Sequence, residues 1–282
     1  MRLSLHRVKP VDDRLVTETG ADFDELSYSR FKHGGGTQAE RYGRQLASVL
    51  LATPAGIAGR GEPIVIASAP YKYLPTASHE LALQILRVLN TVSVESGHPP
   101  AEIGKLSMSR VDRDNYAEHG VSRRRELLGK AGLTADAVAF AGRHVLLVDD
   151  ARITGLAEET ATDLLMAAGA RTVTALYVLE IADGWGARRP DLEHRVNHAF
   201  VRNLTSLLEV YRSERFVLNI RTLKYVLGWP DHGELTAFFG RLTHAELNAI
   251  HEAALHTGPQ FRRHYTEGLK RLRAALEQAA HA

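Results

Sequence analysis

Between residues 61 and 185 the chain alternates short apolar runs with amphipathic ones, and this alternation limits the fold more than any other feature. PIVIASA (63–69) is short, apolar and β-branched, and it is broken by Pro70, which reads as a buried strand. HELALQILRVLNTV (79–92) carries apolar residues at helical spacing, and IGKLSMSR (103–110) reads as a weaker strand. HVLLVDD (144–150) is a strong strand ending on two acids. AEETATDLLMAAGA (157–170) is a helix closing on Gly169, and TVTALYVLEI (172–181) is a further strand. Strands alternating with helices predict an α/β fold: a parallel sheet covered by helices on both faces and joined by right-handed crossovers. Ligands of such sheets bind where strands end and helices begin.

Two other zones flank this core. Residues 1–60, an N-terminal segment or hood, mix charged and Gly-rich stretches with one helical run, AERYGRQLASVLLA. Residues 186–282 have helical periodicity almost throughout. There Thr243 and Glu246 stand at capping-box spacing, and Pro230 separates helices. Phe261, Tyr265, Leu269, Leu272 and Leu276 share one helical face. The expectation is an all-helical C-terminal extension that covers the core (61–185) or a partner subunit.

The chain has no Cys, which excludes a disulfide scaffold and a thiolate zinc site. With 35 basic and 33 acidic residues its net charge is only +2, which argues against a dedicated nucleic-acid binder. The basic run RRHYTEGLKRLR (262–273) reads as a solvated helical face. MRLSLHRVKP has no apolar signal-peptide core, and no apolar run reaches membrane-spanning length. A soluble cytoplasmic protein without membrane contact is expected.

The chemistry concentrates in HVLLVDDARITGLAEET. A strand delivers Asp149 and Asp150 to its C-terminal end, and a short loop, Ala151 to Gly155, runs into a helix. Backbone N–H groups of such a loop, beside a helix N-terminus, cradle phosphate. Gly155 permits close approach or positive φ, and Thr154 adds a hydroxyl donor. The two acids repel phosphate but suit ribose hydroxyls and metal-bound water. A ribose with a 5-phosphate on one side and a metal-bound pyrophosphate on the other needs all of these at once.

The segment closely resembles the phosphoribosyl-pyrophosphate loop of type I phosphoribosyltransferases: four apolar residues, two acids, a few variable residues, then Thr-Gly. The resemblance implies that Asp149 and Asp150 contact the ribose hydroxyls, and that Arg152, Ile153, Thr154, Gly155, Leu156 and Ala157 wrap the 5-phosphate. Leu156 and Ala157 stand where the family often has a second hydroxyl residue. IVIASAPYKYLPTAS is similar to the pyrophosphate loop of orotate phosphoribosyltransferases. Tyr71, Lys72 and Pro75 match that loop, with Tyr73 where Gly is common. SRVDRDNYAEHGVSRRRELLG (109–129) is charged and poor in apolar residues, as a mobile loop is. It resembles the catalytic loop that closes over pyrophosphate, with Arg110, Arg113 and His119 carried over and Arg123 to Arg125 alternatively starting the next helix. By the same resemblance SYSRFKHGGG belongs to the hood over the base, with Arg30 and Lys32 as base contacts.

The resemblance covers about 63–185. The whole chain is most similar to phosphoribosyltransferase-like proteins of bacterial stress and tellurium-resistance gene clusters, and a homodimer is expected. The implied activity displaces pyrophosphate from 5-phosphoribosyl-1-pyrophosphate by a nitrogen base or related acceptor. Mg²⁺ would be held mainly by ligand and water near Asp149 and Asp150. The competing reading is a regulatory module that binds the same ligand without turnover. A hydrolase is rejected, since HGGG (33–36) has no G-x-S-x-G partner and reads instead as a flexible loop. His194 and His198 have metal-ligand spacing but no evident third ligand, and read as a structural pair.

Overall fold

The structure is a computed structural model that describes residues 1–53, 63–110, 121–182, 184–189, 191–213 and 215–281. The chain opens with strands β1 (Arg2–Val11) and β2 (Arg14–Thr17) and helices α1 (Glu25–Lys32) and α2 (Gly36–Leu51). Then come β3 (Ile64–Ser68), α3 (Ala77–Glu95), β4 (Glu102–Gly104), β5 (Leu106–Met108), α4 (Val121–Lys130) and β6 (Leu133–Ala135). α5 (Ala137–Phe140), β7 (His144–Arg152), α6 (Leu156–Ala167) and β8 (Thr172–Ile181) complete the α/β part. The rest is helical: α7 (Trp185–Arg188), α8 (Asp191–Asn197), α9 (Leu204–Ser213), α10 (Ile220–Leu227), α11 (His232–Phe239), α12 (His244–Thr257), α13 (Pro259–His264) and α14 (Thr266–Ala279).

Among the described residues the three apolar runs of the sequence form the middle of a six-stranded sheet of order β2-β1-β8-β7-β3-β4. Ile64 to Ser68 pair in parallel with His144 to Val148, and His144 to Val148 pair in parallel with Thr172 to Leu176. Side chains alternate across these strands. Leu146 and Val148 pack under α1, α2, α3 and α8, while Val145 and Leu147 pack with Phe140 and α6. Each such buried Leu or Val contributes about 1.5–3 kcal/mol relative to exposure. The fold is thus a mostly parallel sheet flanked by helices, as the pattern predicts.

Three regions differ from the sequence reading. Residues 2–11 form a sheet strand, pairing in parallel with β8 and antiparallel with β2. Its charges hid it, because Arg2 and Arg7 are met by carboxylates of neighbouring elements. The segment 103–110 is two strands: β4 lies beside β3, while β5 leaves the sheet and pairs antiparallel with β6. HGGG is a buried turn between α1 and α2, with Gly36 N–H donating to the Arg215 carbonyl at 2.9 Å. A Cβ on Gly36 would lie 2.1 Å from that oxygen, so only glycine fits.

A second apolar core, from Val201 to Leu272, holds the C-terminal helices together. α8, by contrast, packs on the sheet core through Leu192 and Val196. The Thr243–Glu246 capping box has both of its arms. Phe261, Tyr265, Leu269 and Leu272 all enter this core although the helix carrying them breaks at Tyr265. Among the described residues no helix is long and apolar enough to cross a membrane.

Candidate functional site

The C-terminal ends of β3 and β7 open into a cleft of about 1220 Å³ whose opposite wall comes from α8, α10 and the α13–α14 junction. Tyr71 and Lys72 line it after β3, as do Asp149, Asp150 and Arg152 at the end of β7 and Ile153, Thr154, Gly155 and Ala157 after it. Lys32 and Arg110 join them. Leu156 is absent from the lining and is buried. Arg30 also does not line the cleft; its guanidinium sits 3.6 Å from the centre of the Phe200 ring. Arg113 and His119 lie outside the described residues.

The strand β7 runs two residues beyond the acids, with Ala151 opposite Leu179 and Arg152 opposite Glu180. The turn before α6 is therefore Ile153-Thr154-Gly155, shorter than the loop predicted from 151. Gly155 has φ +83° at the N-cap of α6, a conformation that costs other residues about 1–2 kcal/mol. Arg152 folds back over this turn, and a Cβ on Gly155 would meet its Nη2 at 2.7 Å. Arg152 Nε donates to Glu158 at 2.8 Å, and Arg2 donates to the same carboxylate at 3.0 Å. The helix N-terminus that would attract phosphate thus already has an acid beside it, balanced by two arginines.

Strand alternation sends the two adjacent acids to opposite faces. Asp150 turns toward α1, where its carboxylate accepts from Lys32 Nζ; the two residues are 7% and 5% exposed. The lysine predicted as a base contact is thus the partner of an acid predicted to face ribose. Asp149 faces the α6 side, opposite Tyr177 in register. Burial, and then the charge of Asp150, push the Asp149 carboxyl well above the usual carboxylate range. Burial and the Asp149 charge hold the Tyr177 hydroxyl protonated.

The pyrophosphate-loop candidate is pinned by backbone. Tyr71 N–H donates to Leu106 O at 3.2 Å, and Met108 N–H donates to Tyr71 O at 3.3 Å. Lys105, which the sequence reading passed over, donates to Lys72 O at 2.9 Å and lies 4.5 Å from the Tyr71 ring centre. Lys72 itself is exposed in the cleft mouth. Arg110 follows β5, and Arg123 and Arg125 lie within α4, so the alternative in which these arginines start a helix is the one observed.

The helical wall was not anticipated. Arg221, Lys224, Tyr225 and Gly228 fall on one face of α10 and line the cleft, while Leu223, Val226 and Leu227 on the other face fill the second core. In the sequence this polar face is indistinguishable from a solvated one. His194 and His198, read as a structural pair, stand with Tyr225 and Trp229 in a run of rings, with centroids 4.5 Å, 5.7 Å and 5.3 Å apart in turn. Behind them His33 is fully buried, and desolvation and Arg221 hold it well below the ordinary histidine range. Asn219 ties this wall to α1: its Nδ2 donates to Lys32 O at 3.2 Å while its Oδ1 caps α10 by accepting from Thr222 N–H at 3.0 Å.

Solved structures align with parts of the chain at low similarity. A hypoxanthine-guanine phosphoribosyltransferase from Bacillus anthracis is 16% identical over 52% of this chain and 71% of its own, with a TM-score of 0.30. A mutant hypoxanthine phosphoribosyltransferase from Trypanosoma cruzi complexed with the product IMP is 12% identical over 52% of this chain and 66% of its own, with a TM-score of 0.35. An allosteric regulatory enzyme of purine biosynthesis is 19% identical over 58% of this chain and 34% of its own, with a TM-score of 0.33. No curated protein matches the sequence. A family model described as PRTase ComF-like matches residues 1–272, nearly the whole chain. The chain therefore belongs to the ComF-like phosphoribosyltransferase family.

Proposed function

We propose that this protein transfers ribose 5-phosphate from 5-phosphoribosyl-1-pyrophosphate to a nitrogen base or related acceptor and releases pyrophosphate. The observation that carries this reading is the convergence, in one cleft, of the Thr154-Gly155 turn, Asp149 and Lys72 from the ends of two adjacent parallel strands. The acceptor nitrogen supplies the electron pair of the new bond to C1 of the ribose. The C1–O bond breaks with its pair leaving on pyrophosphate, and any proton on the attacking nitrogen passes to solvent. Lys72 and Arg110 place positive charge where negative charge grows on the leaving group. Backbone N–H groups at 153–155 receive the 5-phosphate, and Asp149 accepts from a ribose hydroxyl. Arg113 and His119 keep the role that the resemblance implies.

Among the described residues no three acids or histidines converge as a metal cage. In this reading Mg²⁺ would be held mainly by ligand and water near Asp149 and Asp150, the first a half-buried carboxyl raised by burial and then by the charge of the second. When bound, the ion would supply positive charge against that of pyrophosphate.

A second reading, a module that binds the ligand without turnover, is favoured by two observations: the Lys32 clamp on Asp150 and Glu158 at the α6 N-terminus. A pyrophosphate-release assay with a panel of bases, run beside calorimetry of phosphoribosyl pyrophosphate with and without Mg²⁺, separates the two. Release with at least one base is the expected result. Binding without release for any base leaves the second reading. Absence of Mg²⁺-dependent binding overturns both.

A further inference from the structure

We propose that Arg152 is an exchangeable phosphate ligand that leaves Glu158 for the 5-phosphate, and that Glu158 and Arg2 are the positioning residues that govern its release. This rests on the placement of the 5-phosphate at the 153–155 turn in the reading above. The geometry comes first. Among the described residues the N–H groups of Thr154, Gly155, Leu156 and Ala157 meet no backbone acceptor, so the cradle is open. The Arg152 guanidinium already lies against it: a Cβ on Gly155 would stand 2.7 Å from Nη2. Its Nε, however, donates to Glu158 at 2.8 Å, and its Nη1 is 3.7 Å from Glu180. A phosphate arriving at the turn therefore gains Arg152 only if Glu158 releases it. Otherwise the phosphate meets a carboxylate of its own sign beside the cradle.

The charges come second. Arg2, Arg7 and Arg152 meet two acids, Glu158 and Glu180, across β1, β7, β8 and α6. Each acid keeps partners when Arg152 leaves. Glu158 retains Arg2, whose Nε and Nη2 both donate at 3.0 Å, a two-armed pairing that is among the stronger kinds. The Tyr177 hydroxyl is a further donor to it. Glu180 retains Ser4 Oγ at 3.0 Å, Arg2 Nη1 at 3.4 Å and Arg7 Nε at 4.0 Å. Arg7 also reaches Glu18 at 3.2 Å, but that acid is 68% exposed and the pair is weak. Arg152 lines the cleft while Arg2 and Arg7 do not, so the cation that can be spared is the one that faces the ligand.

The test titrates ribose 5-phosphate and inorganic phosphate into the full chain by calorimetry, without Mg²⁺ and without turnover. Glu158→Gln keeps the shape of the side chain and removes the competing charge, and is expected to bind both about 10-fold more tightly than wild type. Arg152→Gln is expected to bind both about 10- to 100-fold more weakly. Arg2→Gln decides the mechanism. Without Arg2, Glu158 holds Arg152 harder, and both affinities are expected to fall about 3- to 10-fold. In the Glu158→Gln background the same change at Arg2 is expected to have no effect. A weakening that persists there would mean that Arg2 acts on phosphate directly, and would overturn the exchange. So would a Glu158→Gln protein that binds no more tightly than wild type, or phosphate binding by neither. Arg2 has a side chain 35% exposed, so its substitution serves where Glu158→Gln does not fold, and unchanged affinities in Arg2→Gln overturn the proposal as well. Shifts seen with inorganic phosphate but not with ribose 5-phosphate would overturn the assignment to the 5-phosphate. The pyrophosphate-release assay keeps the two readings apart. Release with a base, but no gain in Glu158→Gln, sinks the exchange alone. The full set of shifts without release for any base sinks the transfer reading alone.

Discussion

On the sheet side of the cleft, much of what would meet a ligand is backbone: the 153–155 turn before α6 and the pinned strand end at Tyr71. On the helical side it is side chains, with Arg221, Lys224 and Tyr225 standing on a helix whose other face is core. Backbone can be aimed only by local conformation, so it leaves a local mark in sequence: Gly155 at positive φ, two acids, a strand before and a helix after. A side-chain wall is assembled from elements far apart in the chain and leaves almost none. The sheet side therefore carries features encoded by local sequence, while the helical side is free to vary its side chains one by one.

The largest effect expected from breaking this contrast is at Lys32, which stands where the two walls meet. Lys32→Met leaves Asp150 a buried, unpaired carboxylate, and chemical denaturation should show a loss of about 3–5 kcal/mol. A loss below about 1 kcal/mol would mean that the pair adds little to the hold of α1 on the sheet. Next comes Lys72→Ala on the sheet side. If this lysine meets growing charge on the leaving group, turnover falls about 10²–10³-fold while affinity for phosphoribosyl pyrophosphate falls less. Equal losses would reduce Lys72 to a binding residue.

Asp149→Asn gives a smaller effect of opposite sign in stability. The folded carboxyl is pushed up to about 8, so the native state holds a proton that the unfolded chain gives up in the ordinary carboxylate range. Wild-type stability from this group is present at acid pH and is lost as pH rises toward that value. The asparagine variant escapes that loss. The full value would be about 1.4 kcal/mol per pH unit, and solvent screening of this half-buried group reduces it. Its advantage should therefore grow between about pH 5 and about pH 8 to the order of 2 kcal/mol, read by urea unfolding at both, while Mg²⁺-dependent ligand binding disappears. The smallest effect is expected at Thr243→Ala, deep in the helical region. Loss of the cap costs about 1 kcal/mol, seen as a lower unfolding temperature, with affinity for phosphoribosyl pyrophosphate unchanged.

How much was legible follows the same division. β3, β7 and β8 were readable because uninterrupted β-branched runs suit a strand buried on both faces. β1 was not, because an arginine reads as solvated unless its partner is known, and Glu158 and Glu180 lie more than a hundred positions away. Period-two alternation already separates neighbouring acids onto two faces, so the divergence of Asp149 and Asp150 was available in principle. Lys32 as the partner of Asp150 was not, since the two are 118 residues apart. The capping box and the Phe261–Leu272 face were legible because both are local patterns. The ring wall was not, since His198 and Tyr225 meet only once α8 and α10 are brought together.

Asn219 has a consequence for cooperativity. A single buried carboxamide serves as the cap of α10 and as the donor to Lys32 O, the last residue of α1. The second core therefore cannot lift from the sheet without breaking that bond, freeing the cap side chain and stranding a carbonyl beside the Lys32–Asp150 pair. The two cores, distinct in packing, are expected to melt as one unit. An opening of the cleft would accordingly be borne by segments other than this junction.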